Sequence, residues 1–216
     1  MDQAEYKKRF GEEDAVGWLS IDKVTEALYP GQEPRHFGTV VKYMMGGPDP
    51  LDGVSIFTAQ RQQEHLHLVS YGMSNLYYDE KAAGGEFSGW GFEFTFRLVP
   101  FDEDHGDPKW AISLMQNLGK YVFNSKKWFE EYHFIPANGP IRLDTETEIT
   151  AVAFVQDPEM GTINTPHGQV QFLQLVGITA AEYEVLKKNP KTTETKKLLG
   201  QLKKDNPLLI TDLKRK

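Results

Sequence analysis

The residues whose types and spacing could do chemistry fall in four short stretches. "EHLHL" places His65 and His67 two apart, with Glu64 beside them. On a strand, residues two apart share a face. The pair could therefore give a metal two imidazole ligands, with a third ligand coming from a carboxylate elsewhere. "DEDHGD" sets carboxylates at 102, 103, 104 and 107 around His105. It lacks the ligand spacing and glycine position of a calcium-binding EF-hand loop, so a solvated loop is expected. "GGEFSGWG" has glycines at 84, 85, 89 and 91 but no lysine, and a strand follows it. A phosphate loop needs a helix N-terminus there. "DTETE", Asp144 to Glu148, alternates acids with threonines. It is expected to lie exposed rather than to pair an acid with a base.

None of these is a complete catalytic set. Two imidazoles are a two-ligand signal, and the simpler reading is strand histidines satisfied by hydrogen bonds. No G-x-S-x-G or H-E-x-x-H occurs. There is no cysteine among 216 residues, which excludes disulfides, thiolate catalysis and cysteine-based zinc sites. The expectation is a non-enzymatic binding protein with no cofactor and no metal. The alternative is a metal-binding or hydrolytic enzyme using His65, His67 and nearby carboxylates.

Charge narrows the partners. The net charge is −7, but the stretch from Lys187 to Lys216 holds ten basic and three acidic residues. That surplus of +7 leaves −14 on residues 1–186. An acidic body disfavours nucleic acid, whose phosphates need a cationic face. The basic end reads as a solvated helix surface. No apolar run approaches the roughly 20 residues that span a bilayer, and the N-terminal stretch has no secretory apolar region. A cytoplasmic protein with no membrane partner is the expectation.

The elements that must position these residues follow from periodicity. Apolar residues at near-helical spacing, Leu19 and Trp18 among them, predict a helix over Asp14–Leu28. Strands are predicted at His36–Met45, Gly53–Ala59 and His65–Tyr71. "WGFEFTFRLV" alternates Phe92, Phe94, Phe96 and Leu98 with Glu93, Thr95 and Arg97, which predicts a strand with one apolar and one polar face. Pro108 opens a helix through "KWAISLMQNLGKYVFNS", with Trp110, Leu114, Leu118, Tyr121 and Val122 as its buried stripe. "TEITAVAFVQ" and "GQVQFLQLVGI" are further strands, joined by an irregular "DPEMGTINTPHG". Thr179 caps a helix with Glu182 in the capping-box position. A second helix holds "TKKLLGQLKK", and "PLLITDL" is a short last strand. Without regular βαβ alternation, the fold class is α+β: a central mixed or antiparallel sheet with helices packed on it. Residues 1–13 read as an N-terminal extension and 14–216 as a single domain.

Between two of these strands lies "KYMMGGPDPLDGVSIF". Gly46 and Gly47 let the chain turn, and Pro48 and Pro50 then fix φ. Asp49 and Asp52 are expected to bond nearby backbone N–H groups. No nucleophile or base is in local reach, so this is a rigid corner rather than a catalytic loop.

The same stretch, "VVKYMMGGPDPLDGVSIF", resembles the signature of the Suppressor of fused family. "EHLHLVSYGMSNLY", "SGWGFEFTFRL", "LMQNLGKYVFNS", "DPEMGTINTPHGQVQFLQLVGIT" and "LLITDLKR" are similar to family segments and follow in the family's order. The resemblance runs from about residue 16 to the C-terminus and corresponds to the family's N-terminal domain, without the second domain. It implies a mixed α/β fold and a protein partner. In animals, members sequester zinc-finger transcription factors and clasp a peptide as an added strand between two domains. Single-domain members are typically bacterial, and there the superfamily includes immunity proteins that neutralise toxin domains. The family's Gly-Asp-His after the central helix is replaced here by Glu131-Tyr132-His133, so that contact does not carry over. For partner binding, the residues singled out are Tyr121, on the family-like helix, and Trp90, an aromatic anchor after a glycine-rich loop.

Overall fold

The computed structural model describes residues 1–216. In chain order its elements begin α1 (Gln3–Arg9), α2 (Val16–Leu28), β1 (Arg35–Gly38), β2 (Gly53–Ala59), β3 (His65–Tyr71) and β4 (Phe87–Leu98). There follow α3 (Lys109–Ser125), β5 (Phe134–Pro136), β6 (Ile149–Gln156), β7 (Thr162–Thr165) and β8 (Gly168–Thr179). α4 (Ala180–Lys188) and α5 (Thr192–Asp205) end the series. The eight strands form one sheet in the order β1-β2-β3-β4-β8-β6-β5, with β7 paired to β8 outside that path. β4 and β8 run parallel and the other pairs antiparallel. This is the α+β architecture with a mixed sheet that the sequence predicts.

The alternation in β4 decides where the helices go. Phe92, Phe94, Phe96 and Leu98 join Val54, Ile56, Leu68, Leu173 and Leu175 on one face of the sheet. α3 covers that face through Ala111, Met115, Leu118 and Val122. Each fully buried Phe or Leu there contributes about 1.5–3 kcal/mol. On the other face α2 packs Ile21 with Phe57, Val69, Tyr71 and Phe172. α4 and α5 bring Leu186 and Leu199 to Ala151, Ala153, Val176 and Ile178. The result is a three-layer α/β/α domain.

The second face corrects an expectation. Glu93, Thr95 and Arg97 alternate with the phenylalanines, yet all three are fully buried. Helices on both sides of the sheet leave no solvated face in its middle, so these polar groups must find partners inside.

Local departures have local causes. The strand expected at His36–Met45 pairs only over Arg35–Gly38. Lys42–Gly47 instead satisfies its own backbone: Met45 N–H and Gly47 N–H both donate to the Lys42 carbonyl, at 2.9 and 3.0 Å. "PLLITDL" makes one isolated bridge, Leu98 to Thr211, rather than a strand. The connection expected to be irregular contains β7, and β5 is a further unpredicted short strand. Leu19 is 59% exposed, because the buried stripe of α2 runs through Val16, Gly17, Ile21 and Thr25. Residues 1–13, expected as an extension, hold α1, whose Tyr6 is fully buried and bonds His167 Nε2 at 2.7 Å. The capping box at α4 forms as expected, with Thr179 and Glu182 bonding each other's backbone.

The glycine-proline stretch is a rigid corner, but it joins a 3₁₀ turn at Tyr43–Met45 to β2. Gly46 takes φ 88° to close that turn. Pro50 and Leu51 are buried against α3, where Gln116 grips both the Leu51 N–H at 3.1 Å and its carbonyl at 2.8 Å. The two aspartates bind side chains rather than turn amides. Asp49 pairs with Lys120 at 2.7 Å, and Asp52 accepts the Tyr77 hydroxyl at 2.6 Å.

Candidate protein-binding face

Along α3 the buried stripe passes one position beside Tyr121, not through it. Tyr121 is 40% exposed and stacks on Phe129 with ring centroids 5.4 Å apart. It lines a groove of 960 Å³ between α3 and the segment from β5 to Asp144. Trp110, Leu114 and Leu118 from α3 form one apolar wall, and Ile135 and Ile141 form the other. Glu103 and Asp144 are exposed on the rim. The "DEDHGD" loop is less free than expected. Asp104 accepts Trp110 Nε1–H at 2.9 Å and Arg142 Nε–H at 3.0 Å, and Asp107 accepts Arg35 Nε–H at 2.8 Å. These bonds fix the shape of the groove's mouth. Asp144, Glu146 and Glu148 are exposed, as expected.

β5 bounds the groove and is the last strand of the sheet on that side. Its inner edge pairs Phe134, Ile135 and Pro136 with Ala153, Val152 and Ala151. Its outer edge has no strand. An open edge beside an apolar groove is the geometry that accepts an added strand. Pro136 fits such an edge position, where a missing N–H is tolerated.

Trp90 lies elsewhere. It sits where the β4–β8 register shifts between Phe87 and Phe92, flanked by Gly89 and Gly91 at positive φ. Its ring meets Phe123 edge-on at 5.6 Å and lines a second hollow of 490 Å³. The two aromatic residues singled out for binding therefore belong to different concavities.

His65 and His67 share a face, as their spacing requires, but that face is inside. His67 Nδ1 meets the Tyr29 hydroxyl at 2.7 Å and Nε2 meets Asp157 Oδ2 at 3.1 Å. With a carboxylate at Nε2, that nitrogen carries the proton and Nδ1 accepts from Tyr29. Burial lowers the His67 pKa to about 4, with the Arg97 charge adding to the effect, so the ring is neutral. Burial also raises Tyr29 to about 12. His65 accepts from Arg97 Nη1 through Nε2 at 3.0 Å, and its Nδ1 contacts the Gln63 carbonyl at 2.9 Å. No group of three His, Asp or Glu side chains is arranged to hold a metal.

Arg97 is the centre of this network, and sequence reasoning missed it. Its Nη2 donates to Asp157 at 3.1 and 3.2 Å, and its Nη1 lies 2.9 Å from Glu159 Oε2. Arg61 meets the other Glu159 oxygen at 2.5 Å. Two arginines thus balance two carboxylates around two neutral imidazoles. Burial alone would raise the Asp157 pKa, but His67, Arg97 and the Met160 N–H more than reverse it. Thr95 adds a bond to Asp157 at 2.9 Å. The cluster ties β3 and β4 to the turn after β6. The only sequence signal for it was an arginine in an alternating strand.

Nearer the start of β4, on the same face, Glu93 has a comparable role. It accepts from the Ser70 and Ser74 hydroxyls, both at 2.6 Å, and from the Gly72 and Ser74 N–H groups at 3.0 and 2.9 Å. Burial pushes its pKa up despite these donors. It locks the loop after β3, which floors the hollow beside Trp90.

A family model described as Suppressor of fused protein matches residues 47–216. The human Suppressor of fused homolog is 38% identical over 167 residues, and the mouse homolog matches equally. Each match covers 72% of this chain but 34% of the relative, so the chain spans about a third of those proteins' length. Among solved structures, a Sufu–Fu complex matches with TM-score 0.83 and 29% identity, covering 94% of this chain and 92% of that one. Drosophila Suppressor of Fused matches with TM-score 0.82 and 28% identity over 95% of this chain and 52% of that one. A SUFU homolog from Neisseria gonorrhoeae shares the fold, with TM-score 0.60 at 15% identity, covering 93% and 95% of the two chains.

Proposed function

The chain belongs to the Suppressor of fused family, and on that premise we propose that it is a non-enzymatic protein-binding module. The observation that carries this is the open outer edge of β5 beside the groove lined by Tyr121. Backbone groups on such an edge supply affinity to an extended segment, and the adjoining pocket selects its side chains. A relative of similar fold was solved as a complex with a protein, Fu, which supports a protein partner. The polar clusters of the interior support a scaffold rather than a reaction centre, because His65, His67 and Arg97 are closed off from solvent.

In its specific form the module is an immunity protein that neutralises a toxin domain. The −14 carried by residues 1–186 suits a basic partner such as a nuclease domain, and complementary charge speeds association. The test is quantitative binding of a toxin-like domain encoded beside this gene, by calorimetry, to the native chain, to Tyr121→Ala and to Leu19→Ser on the far face. The expected result is a loss of about tenfold or more for Tyr121→Ala, with Leu19→Ser unchanged. Equal affinity in all three would overturn the assignment of the face. Absence of binding by the native chain, with no other protein partner recovered by cross-linking in its own cells, would overturn the module reading.

A further inference from the structure

Redox chemistry on side-chain sulfur is confined to six positions, because the chain has six methionines and no cysteine. The fold sorts the six. Met73, Met115 and Met160 are each 5% exposed or less, and they belong to the core clusters under α3 and α2. Met1 is 41% exposed. Met44 and Met45 are 73% and 74% exposed, and neither belongs to a core cluster. Oxidation of a thioether follows its access to solvent, so these two adjacent sulfurs are the most open to an oxidant.

Their exposure is built into the backbone. Tyr43–Met45 forms a 3₁₀ turn closed by Gly46 at φ 88°. Gly47 N–H donates to the Lys42 carbonyl at 3.0 Å. A Cβ at Gly47 would lie 2.0 Å from the Val41 carbonyl oxygen, so the turn is closed tightly at both ends. Tyr43 is its inward anchor, with its ring edge-on to Phe123 at 4.8 Å. Met44 and Met45 are left in water beside Val40, which is 102% exposed, and Val41, at 46%. Four apolar side chains within six residues thus form a ledge, and two of the four carry an oxidisable sulfur. An oxygen added to either sulfur disturbs no core contact, but it puts a strong dipole where the surface was apolar.

We propose that Met44 and Met45 are a modification site, at which a peroxide reversibly oxidises both thioethers to sulfoxides and turns the ledge from apolar to polar without unfolding the domain. In each oxidation a sulfur lone pair attacks one peroxide oxygen. An S–O bond forms, the O–O bond breaks, and the other oxygen leaves as water or an alcohol. Sulfur gives up two electrons and the peroxide takes them. The reverse step is that of a methionine sulfoxide reductase: two thiols become a disulfide, and the sulfoxide oxygen leaves as water. The exposure that admits the oxidant also admits the reductase. Met73, Met115 and Met160 react only when the core opens, which keeps the chemistry at the turn.

The test treats the full chain with hydrogen peroxide and follows each methionine by peptide mass spectrometry. Met44 and Met45 should oxidise at a rate comparable to Met1, and the three buried methionines at least about a hundredfold more slowly. Hydrophobic-interaction chromatography then reads the surface. Retention should fall as Met44 and Met45 are oxidised, with the thermal midpoint unchanged. Treatment with methionine sulfoxide reductases A and B and a thiol should restore it, both enzymes being used because sulfoxidation gives two epimers. The double variant Met44→Leu/Met45→Leu keeps the ledge apolar at similar volume, and Met1 remains in it as an internal reference. Its retention should not respond to peroxide. Buried methionines oxidising as fast as Met44 and Met45, or a thermal midpoint that falls as those two react, would overturn the proposal. So would unchanged retention in the native chain, an equal loss in the double variant, or sulfoxides that both reductases leave in place.

Discussion

Acid should weaken this fold well above the pH at which its carboxylates titrate, and one imidazole should account for a definable share. His67 is fully buried between Tyr29 and Asp157, and its pKa falls from 6.5 to about 4. A lowered histidine pKa means that the unfolded chain takes up the proton first. The neutral ring's contribution is therefore intact above pH 6.5 and is lost as pH falls from there toward 4. At about 1.4 kcal/mol per pKa unit, the ~1.5 units between 6.5 and about pH 5 amount to about 2 kcal/mol. A small domain's whole stability is about 5–15 kcal/mol, so this loss is large enough to measure. The perturbation is His67→Gln, whose amide offers an N–H toward Asp157 and a carbonyl toward Tyr29 without titrating. The assay is urea unfolding at about pH 7, 6 and 5, taking the difference between the native chain and the variant. His36 and His65 are lowered in the same direction by burial, and Glu93 is raised by burial. Those groups are present in both proteins and cancel in the difference. The native chain should lose about 2 kcal/mol more than the variant by about pH 5. Parallel pH curves for the two proteins would refute the reasoning, because they would mean that His67 is not held neutral by its surroundings.

Two further outcomes follow from named contacts. Asp157→Ala removes the carboxylate from Arg97 Nη2 and from His67, and should cost about 3–5 kcal/mol, partly recovered by adding Arg97→Met. Chemical denaturation of the single and double variants checks this, and a double variant no more stable than the single one would contradict it. Gly17→Ala would press a Cβ onto the Asn75 carbonyl, where Gly17 N–H already bonds the Leu76 carbonyl at 2.9 Å. Overpacking against backbone should cost about 1–3 kcal/mol or more, read as a lowered thermal midpoint.

What could be read in the sequence was whatever chemistry acts between near neighbours. Alternation set β4 and the apolar face that α3 covers. The Thr179–Glu182 capping box placed the start of α4 to the residue. The glycine-proline corner and the ordered series of segments named the family. Each of these signals is local, so a single stretch of chain carries all of it. Near-neighbour reasoning failed at the edges and in the interior. β5 and β7 are three and four residues long, too short for a period to emerge, and they exist because a longer strand lies beside each. The polar face of β4 looked solvated because alternation says which side a residue takes, not what lies there. α2, α4 and α5 return over that face from both ends of the chain. Arg97 then meets Asp157 sixty residues away, and His67 meets it ninety away. Likewise, periodicity put Tyr121 in the buried stripe. Only the placement of α3 against β5 turned it outward beside an open strand edge, and only packing left Trp90 in a different hollow. The sequence determined the pieces and their kinship. The tertiary structure decided which polar groups could be hidden together and which apolar ones were left in water, because burial and pairing depend on residues that the chain brings near only by folding.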